Sequence, residues 1–342
     1  MSPIETRNLD ARGGRVEFTA LGFGGVPLGN LYKAMSDETA DETLRAALDV
    51  GIRYFDTAPL YGLGLSEERF GATLPAFDGL TYSTKIGRVT RDPHPGEAIP
   101  SGLFMEPPNR SFDFDYSYDG VMRAHEQSLA RMKVEAVDML FIHDVDVWTH
   151  GSKDESDRRL REVMDGGYRA LEELRSSGAV KAIGAGVNEW EVCDWLMRRG
   201  EFDCFLLAGR YTLLEQSAQE SFLPACVERG VGIVLGGPYN SGILATGPVD
   251  GAYYNYAPAE PDVLERVRRI EAICEAHGSR LVEAAMHFVL AHPAIVSVIP
   301  GAASPDEVRR NAQTLAAAPD PALWAELKAG GLIREDAPVP EG

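Results

Sequence analysis

The sequence predicts an α/β chain folded as one (β/α)8 TIM barrel, with long loops at its C-terminal rim. Three observations predict it. Short apolar runs alternate with stretches of helical period along most of the chain. There are eight such runs, the strand count of the barrel. No break in composition divides the 342 residues, so one domain over 1–342 is expected, with a barrel core at about 17–316.

The runs, in order, are Ala20–Gly24, Arg53–Asp56, Tyr82–Lys85, Asp138–His143, Lys181–Ala185, Cys204–Leu207, Gly232–Leu235 and Val296–Ile299. Between the first two, Ala40, Leu44, Ala47 and Leu48 repeat at helical spacing behind Ser36, a suitable N-cap. Val121, Ala124, Ser128, Leu129 and Met132 form a second stripe, and Val263, Val267, Ile270 and Cys274 a third. Such stripes are core faces. Ser304-Pro-Asp-Glu307 reads as a capping box with proline at the first helical position. Three polar stretches, Gly87–Ser117, Val145–Arg158 and Gly236–Pro261, read as loops. Each follows a strand, so each falls on the rim where barrel active sites are built. Residues Met1–Gly14 and Ala337–Gly342 read as trimmings on that scaffold.

Charge narrows the partners. With 52 acidic and 33 basic side chains the formal charge is −19. Such a chain repels phosphate backbones and anionic membrane surfaces, so neither nucleic acid nor membrane is an expected partner. No apolar run approaches the ~20 residues that span a bilayer, and the N-terminus has no apolar leader core. The four cysteines, Cys193, Cys204, Cys226 and Cys274, are not at metal or redox spacing. They read as buried thiols of a cytoplasmic protein, and no metal is expected.

Glycine pairs at Gly22/Gly24, Gly62/Gly64 and Gly184/Gly186 open like dinucleotide fingerprints. Their third positions are Pro27, Glu67 and Glu189, so none completes the motif, and turns or strand ends explain them. The stronger pattern is polar residues at consecutive strand ends. Asp56 ends the second run, Tyr61 follows it in Asp56-Thr-Ala-Pro-Leu-Tyr61, Lys85 ends the third and His143 the fourth. A tyrosine hydroxyl with pKa ~10 is a poor acid at neutral pH. A nearby ammonium favours its phenolate, an aspartate holds that ammonium charged, and a histidine bonds a substrate oxygen. The set suits proton transfer at a carbonyl or alcohol oxygen. The matching hydride needs a cofactor.

These residues resemble the aldo-keto reductase superfamily over nearly the whole chain. Gly51–Gly62 with Ser66-Glu67 is similar to its first signature, Leu140–His143 to its histidine segment, and Ile299–Ala302 with Asn311 to its cofactor segment. Phe114–Ser117 with Asp119-Gly120, His143–Asp146, Ala208–Leu214 and Gly236–Leu244 are similar to a bacterial sugar-oxidising branch. That branch contains the aldose 1-dehydrogenase that acts on L-fucose, and pyridoxal 4-dehydrogenase resembles it closely. The resemblance implies Asp56, Tyr61, Lys85 and His143 as the catalytic set. It implies cofactor contacts at Asn188, Gly236, Gly237, Pro238, Tyr239, Ser241, Gly301, Ala302, Glu307, Arg310 and Asn311. Asn188 takes the position that bonds the nicotinamide amide, Ala208-Gly-Arg210 replaces the usual glutamine partner, and Tyr239 or its neighbours line the nicotinamide face.

Glu307 stands where NADP-preferring relatives carry a cation, which implies NAD, while Arg309 and Arg310 beside it keep NADP open. The implied reaction is NAD(P)-linked oxidation of a cyclic aldose at C1 to its lactone. Pyridoxal oxidation, general NADPH-dependent aldehyde reduction, and a cofactor-binding sensor or channel subunit are the alternatives. Rim groups suited to hydroxyls are Asp113, Asp115, Tyr116, Tyr118, Asp144, Asp146, Trp148 and Asn240. The mixed charge of Val145–Arg158 reads as a solvated surface, with a substrate lid as the lesser option.

Overall fold

The computed structural model describes residues 3–340; positions 1, 2, 341 and 342, the outermost parts of the two terminal stretches, lie outside the described residues. Chain order is β1 (Thr6–Ala11), β2 (Gly14–Thr19), β3 (Phe23–Gly24), α1 (Asp37–Asp49), β4 (Tyr54–Asp56), α2 (Leu65–Thr73), β5 (Thr81–Ile86), β6 (Arg88–Arg91), β7 (Ser111–Phe114), α3 (Tyr118–Met132) and β8 (Met139–His143). There follow α4 (Val147–His150), α5 (Lys153–Glu162), α6 (Tyr168–Ser176), β9 (Ala182–Val187), α7 (Trp190–Met197), β10 (Cys204–Ala208), α8 (Phe222–Arg229), β11 (Gly232–Gly236) and α9 (Ile243–Thr246). Last come β12 (Tyr253–Tyr254), β13 (Ala257–Pro258), α10 (Pro261–Ala276), α11 (Leu281–Leu290), β14 (Ile295–Ile299), α12 (Pro305–Ala316) and α13 (Ala322–Ala329).

Eight parallel strands pair in the order β14-β11-β10-β9-β8-β5-β4-β3. Parallel bridges Leu21↔Val298 and Gly24↔Gly301 join the two outer strands and close the barrel. All eight strands fall on the apolar runs of the sequence. Ser36 caps α1 by accepting from the Thr39 N–H at 3.2 Å. Ser304 likewise accepts from the Glu307 N–H at 3.3 Å. The return bond of the expected capping box differs: Glu307 Oε2 accepts from the Ala303 N–H at 2.7 Å, one residue before the cap.

The termini are more than trimmings. β1 and β2 form an antiparallel hairpin whose Leu9, Val16 and Phe18 pack with the barrel-interior residues Tyr54, Met139, Phe141, Cys204 and Val234. Phe18 meets Tyr54 edge to face at 4.9 Å between centroids. The hairpin therefore plugs the N-terminal mouth. Burying these aromatic rings outweighs the polar residues that alternate with them. Ala337 is likewise buried in the outer core.

The three stretches read as loops carry structure of their own. Gly87–Ser117 holds the β6–β7 hairpin, Val145–Arg158 holds α4 and the start of α5, and Gly236–Pro261 holds α9 and the β12–β13 hairpin. All three do follow barrel strands at the C-terminal rim.

Candidate active site

Side chains along a strand alternate between faces, so residues two apart share one. Tyr54 faces the barrel interior, and so does Asp56 above it. Ser83 and Lys85 on β5, and Phe141 and His143 on β8, repeat the pattern. The top interior layer is thus acid, base and imidazole on three strands that are neighbours in the sheet. Lys85 Nζ donates to Asp56 Oδ2 at 2.7 Å and to the Thr57 carbonyl at 2.8 Å. Ser83 Oγ donates to Asp56 Oδ1 at 2.7 Å and lies 2.9 Å from the Tyr54 hydroxyl. Burial pushes the Asp56 carboxyl up, while the Lys85 ammonium and these hydrogen bonds pull it back. Gly186 on β9 leaves the space Lys85 occupies, since a Cβ there would stand 3.3 Å from Lys85 Cε.

Tyr61 enters from the loop after β4. Gly62 holds that loop in place at φ +64°, and a Cβ on it would meet the Gly29 carbonyl oxygen at 2.5 Å. The Tyr61 ring lies 4.7 Å from Lys85 Nζ and 5.9 Å, edge to face, from the His143 ring. The ammonium thus meets the face of the phenol and, among the described residues, makes no hydrogen bond to its hydroxyl. The lowering of the tyrosine pKa expected from the sequence is absent in this geometry. Burial, reinforced by the Asp56 and Asp144 carboxylates, holds the hydroxyl well above its ordinary value. His143 is driven the other way. Burial, with Arg88 and Lys85 nearby, pushes it well below its ordinary value, so the imidazole is neutral.

One residue of this layer escaped sequence reasoning. Arg88, three residues past Lys85, is buried, and its Nη2 lies 3.0 Å from Asp144 Oδ2. His143 Nε2 is 3.4 Å from the same oxygen. The available signal was a charged residue inside the apolar run Ile86-Gly-Arg-Val89. Of the rim groups suited to hydroxyls, most do structural work instead. Asp113 pairs with Arg91 and Asp115 with Arg123. The buried Tyr116 donates to the His143 carbonyl at 2.7 Å, and Tyr118 to Glu173 at 2.7 Å. Asp146 caps α4 through the Thr149 N–H, and Asn240 bonds Thr212. Asp144 remains at the site, and exposed Trp148 packs against Tyr256, 6.2 Å between centroids. The stretch expected to be solvated does carry exposed pairs such as Lys153–Asp157.

The residues expected to hold a cofactor lie in neighbouring rim segments. Asn188 follows β9 with its N–H bonded to Asp146 Oδ2 at 3.1 Å, while its buried Oδ1 has no partner among the described residues. A buried acceptor left open has room for one more donor, which a water or a carboxamide can supply. Gly236 ends β11, and Gly237 turns at φ +58° before Pro238 and Tyr239. Tyr239 donates to Asn311 Oδ1 of α12 at 3.1 Å, which ties two of the segments together. Ser241 instead accepts from the Tyr256 N–H at 2.9 Å, and Arg210 donates to Asn255 at 2.6 Å. Gly301 packs on Pro27, where a Cβ would come within 2.8 Å. Ala302 is buried beside it, and Arg310 sits 3.9 Å from Glu307 across the first turns of α12. The open acceptor and the glycine-lined turns fit a dinucleotide.

The sequence profile described as the Aldo/keto reductase family matches residues 20–329. The chain belongs to that family. This aldo-keto reductase is 38% identical over 328 residues to the pyridoxal 4-dehydrogenase of Microbacterium luteolum, covering 92% of this chain and 94% of that one. It is 39% identical over 322 residues to the D-threo-aldose 1-dehydrogenase of a Pseudomonas species, with the same coverage of each. An aldo-keto reductase of Bacillus halodurans in its holo form superposes with a TM-score of 0.75 at 24% identity, over 99% of this chain and 98% of that one. A glycerol dehydrogenase of Gluconobacter oxydans gives 0.73 at 20% identity over 98% of both. Both likenesses show the fold. Family membership makes this aldo-keto reductase an oxidoreductase. Among the described residues no helix is long and apolar enough to cross a membrane, and no cluster of side chains is suited to a metal ion.

Proposed function

We infer that this aldo-keto reductase oxidises a cyclic aldose of the L-fucose or D-threo type at C1 to its lactone, with NAD as hydride acceptor. The observation that carries the reading is the convergence of Tyr61, Lys85, Asp56 and His143 in one interior layer, next to a polar pair suited to hydroxyls. The 39% identity to a D-threo-aldose 1-dehydrogenase supports the substrate class.

Bound NAD supplies the acceptor for the hydride that leaves C1. The chain's own residues handle the proton. Neutral His143 donates a hydrogen bond to the reacting oxygen and orients it. Tyr61 takes the hydroxyl proton in oxidation and returns it in reduction. For oxidation the phenol must first release its own proton to solvent water. Lys85, with Nζ 4.7 Å from the ring centroid, is the cation we assign to face the phenolate as it forms, and Asp56 fixes Lys85 in place. Asn188, Gly236–Tyr239, Ser241, Gly301, Ala302, Glu307, Arg310 and Asn311 are the residues we assign to cofactor binding. Glu307 disfavours a 2′-phosphate, which supports NAD over NADP. The four cysteines are buried and unpaired, which supports a reducing, cytoplasmic setting.

The 38% identity to a pyridoxal 4-dehydrogenase favours a second reading, oxidation of pyridoxal in the same site. Incubation with NAD and, in turn, L-fucose, D-arabinose, L-galactose and pyridoxal, followed by product identification, separates the two. Lactone from a sugar supports the first reading. Activity confined to pyridoxal replaces it with the second. Activity only on open-chain aldehydes with NADPH removes both.

A further inference from the structure

The Arg88–Asp144 pair is assigned no proton-transfer step, yet it is held in a defined geometry. Arg88 is 4% exposed, and its guanidinium carbon lies 4.9 Å from the Phe114 ring centroid and 5.6 Å from that of Phe112. One of its nitrogens meets Asp144, while Nε and Nη1 are buried without a partner among the described residues. Unpaired donors on a buried cation are costly unless a ligand completes them. Asp144 adopts the left-handed backbone conformation at φ +50°. Its N–H bonds the Gly186 carbonyl at 3.0 Å, and the Tyr116 hydroxyl lies 3.3 Å from its own carbonyl. Strain held in this way by its surroundings gathers at functional sites. Asp144 Oδ2 is shared by Arg88 and His143, while Oδ1 carries no hydrogen bond among the described residues and the side chain keeps 14% of its area accessible.

The position fixes what this pair can read. The proposed chemistry puts the reacting oxygen within reach of both the Tyr61 hydroxyl and His143, whose rings lie 5.9 Å apart. Asp144 begins 3.4 Å from His143 Nε2. Oxygens on adjacent carbons stand about one hydrogen-bond length apart. A hydroxyl on the carbon next to the reacting one is therefore within hydrogen-bond reach of Asp144. The carboxylate is an acceptor and wants a hydroxyl; the guanidinium is a donor and wants an oxygen lone pair. A hydroxyl satisfies both together, because it donates to one and accepts from the other. The pair is internally neutral, so it offers no net attraction to an anionic substituent.

We propose that Asp144 and Arg88 clamp the hydroxyl on the carbon next to the one oxidised, and so restrict the enzyme to sugars that carry a hydroxyl there. The assignment rests on the aldose reading of the site. It makes both residues specificity determinants. A site built to bond a hydroxyl rejects the analogue lacking it, because its own buried polar groups are then left unpaired.

The test compares L-fucose with 2-deoxy-L-fucose, each with NAD, in the wild type, Asp144→Asn and Arg88→Met. The expected wild-type kcat/KM for L-fucose is about 10- to 100-fold above that for the 2-deoxy sugar, the worth of a hydrogen bond to a charged group. In both variants that ratio falls towards one, chiefly through a higher KM for L-fucose. NAD binding, followed by quenching of tryptophan fluorescence, reports whether each variant is folded. Should a variant fail to fold, the wild-type ratio stands as a test by itself. Equal efficiency on both sugars in the wild type overturns the clamp and leaves the aldose reading intact. Equal losses on both sugars in the variants, with a shifted pH profile, mark the pair as a support for His143 and also overturn it. Oxidation of neither sugar brings down the aldose reading and the clamp with it.

Discussion

The same strands build two different layers only one side chain apart. The lower layer holds Tyr54, Met139, Phe141, Cys204 and Val234, closed from below by Leu9, Val16 and Phe18 of the hairpin. The upper layer holds Asp56, Lys85 and His143, all buried. In the lower layer every group is satisfied by contact. In the upper layer an ion pair is held out of water, and His143 Nδ1, Asn188 Oδ1 and two Arg88 nitrogens lack partners among the described residues. The contrast shows how the barrel supports its site. Packing below supplies stability, and the layer above carries costly groups whose partners arrive with cofactor and substrate.

Perturbing the two layers should give signatures that differ in turnover. The largest effect is expected from Lys85→Met. It leaves the buried Asp56 carboxylate without its cation, a loss of about 3–5 kcal/mol for a broken buried pair. It also removes the cation that lies against the Tyr61 ring. Turnover should fall by ~10²-fold or more, and chemical denaturation should register the destabilisation alongside it. Wild-type turnover in a folded Lys85→Met protein would place the chemistry elsewhere.

Phe18→Ala acts only on the lower layer. Removing a buried aromatic ring from the plug should cost about 3–5 kcal/mol. The protein that remains folded should keep its kcat, because Phe18 contacts the lower interior cluster and not the site. Urea titration and initial rates on the same sample check both halves. A kcat loss comparable to that of Lys85→Met would show that the layers are not separable.

The pH dependence of stability sharpens the contrast further. His143 is held well below its ordinary value of 6.5 in the folded protein, chiefly by burial. The unfolded chain takes up that proton near pH 6.5 and the folded chain does not. Stability is therefore lost as pH falls below about 6.5, by up to ~1.4 kcal/mol per pH unit from this one group. His143→Asn should show a shallower decline between pH 6.5 and 5. The other depressed histidines are unchanged in that variant, so the difference isolates His143. Identical slopes in the two proteins would mean that His143 titrates normally.

The smallest effect lies at the far end of the cofactor segment. Glu307→Arg exchanges a carboxylate for a cation at the start of α12. An exposed charge pair is worth up to ~1 kcal/mol, so the NADP-to-NAD ratio of kcat/KM should rise about fivefold. An unchanged ratio would leave the N–H cap at Ala303 as the whole role of Glu307.

How far the sequence carries depends on which side of a strand one reads. The eight barrel strands were legible because they are buried on both faces and appear as continuous apolar runs. The strand-end residues were legible because charged groups stand out at the end of such runs. The plugging hairpin was not, because Leu9, Val16 and Phe18 alternate with Asn8, Arg15 and Glu17, and three apolar residues among polar ones resemble a tail. Arg88 was hidden for a different reason. It lies in a stretch read as loop, and its value comes from Asp144, Phe112 and Phe114, which only the fold brings to it. Asp113, Asp115, Tyr116 and Tyr118 were indistinguishable from Asp144 by residue type, and partners elsewhere in the chain decide that they support the rim.

In the proposed reaction, Tyr61 moves the proton as NAD oxidises the sugar. Tyr61→Phe tests it most directly, because it removes one hydroxyl and keeps the ring over Lys85. The measurement is kcat with L-fucose at saturating NAD, together with the NAD dissociation constant of the same protein. A fall in kcat of ~10²-fold or more is expected, the usual worth of acid–base catalysis, with NAD affinity nearly unchanged. Near-normal turnover in the variant would contradict it.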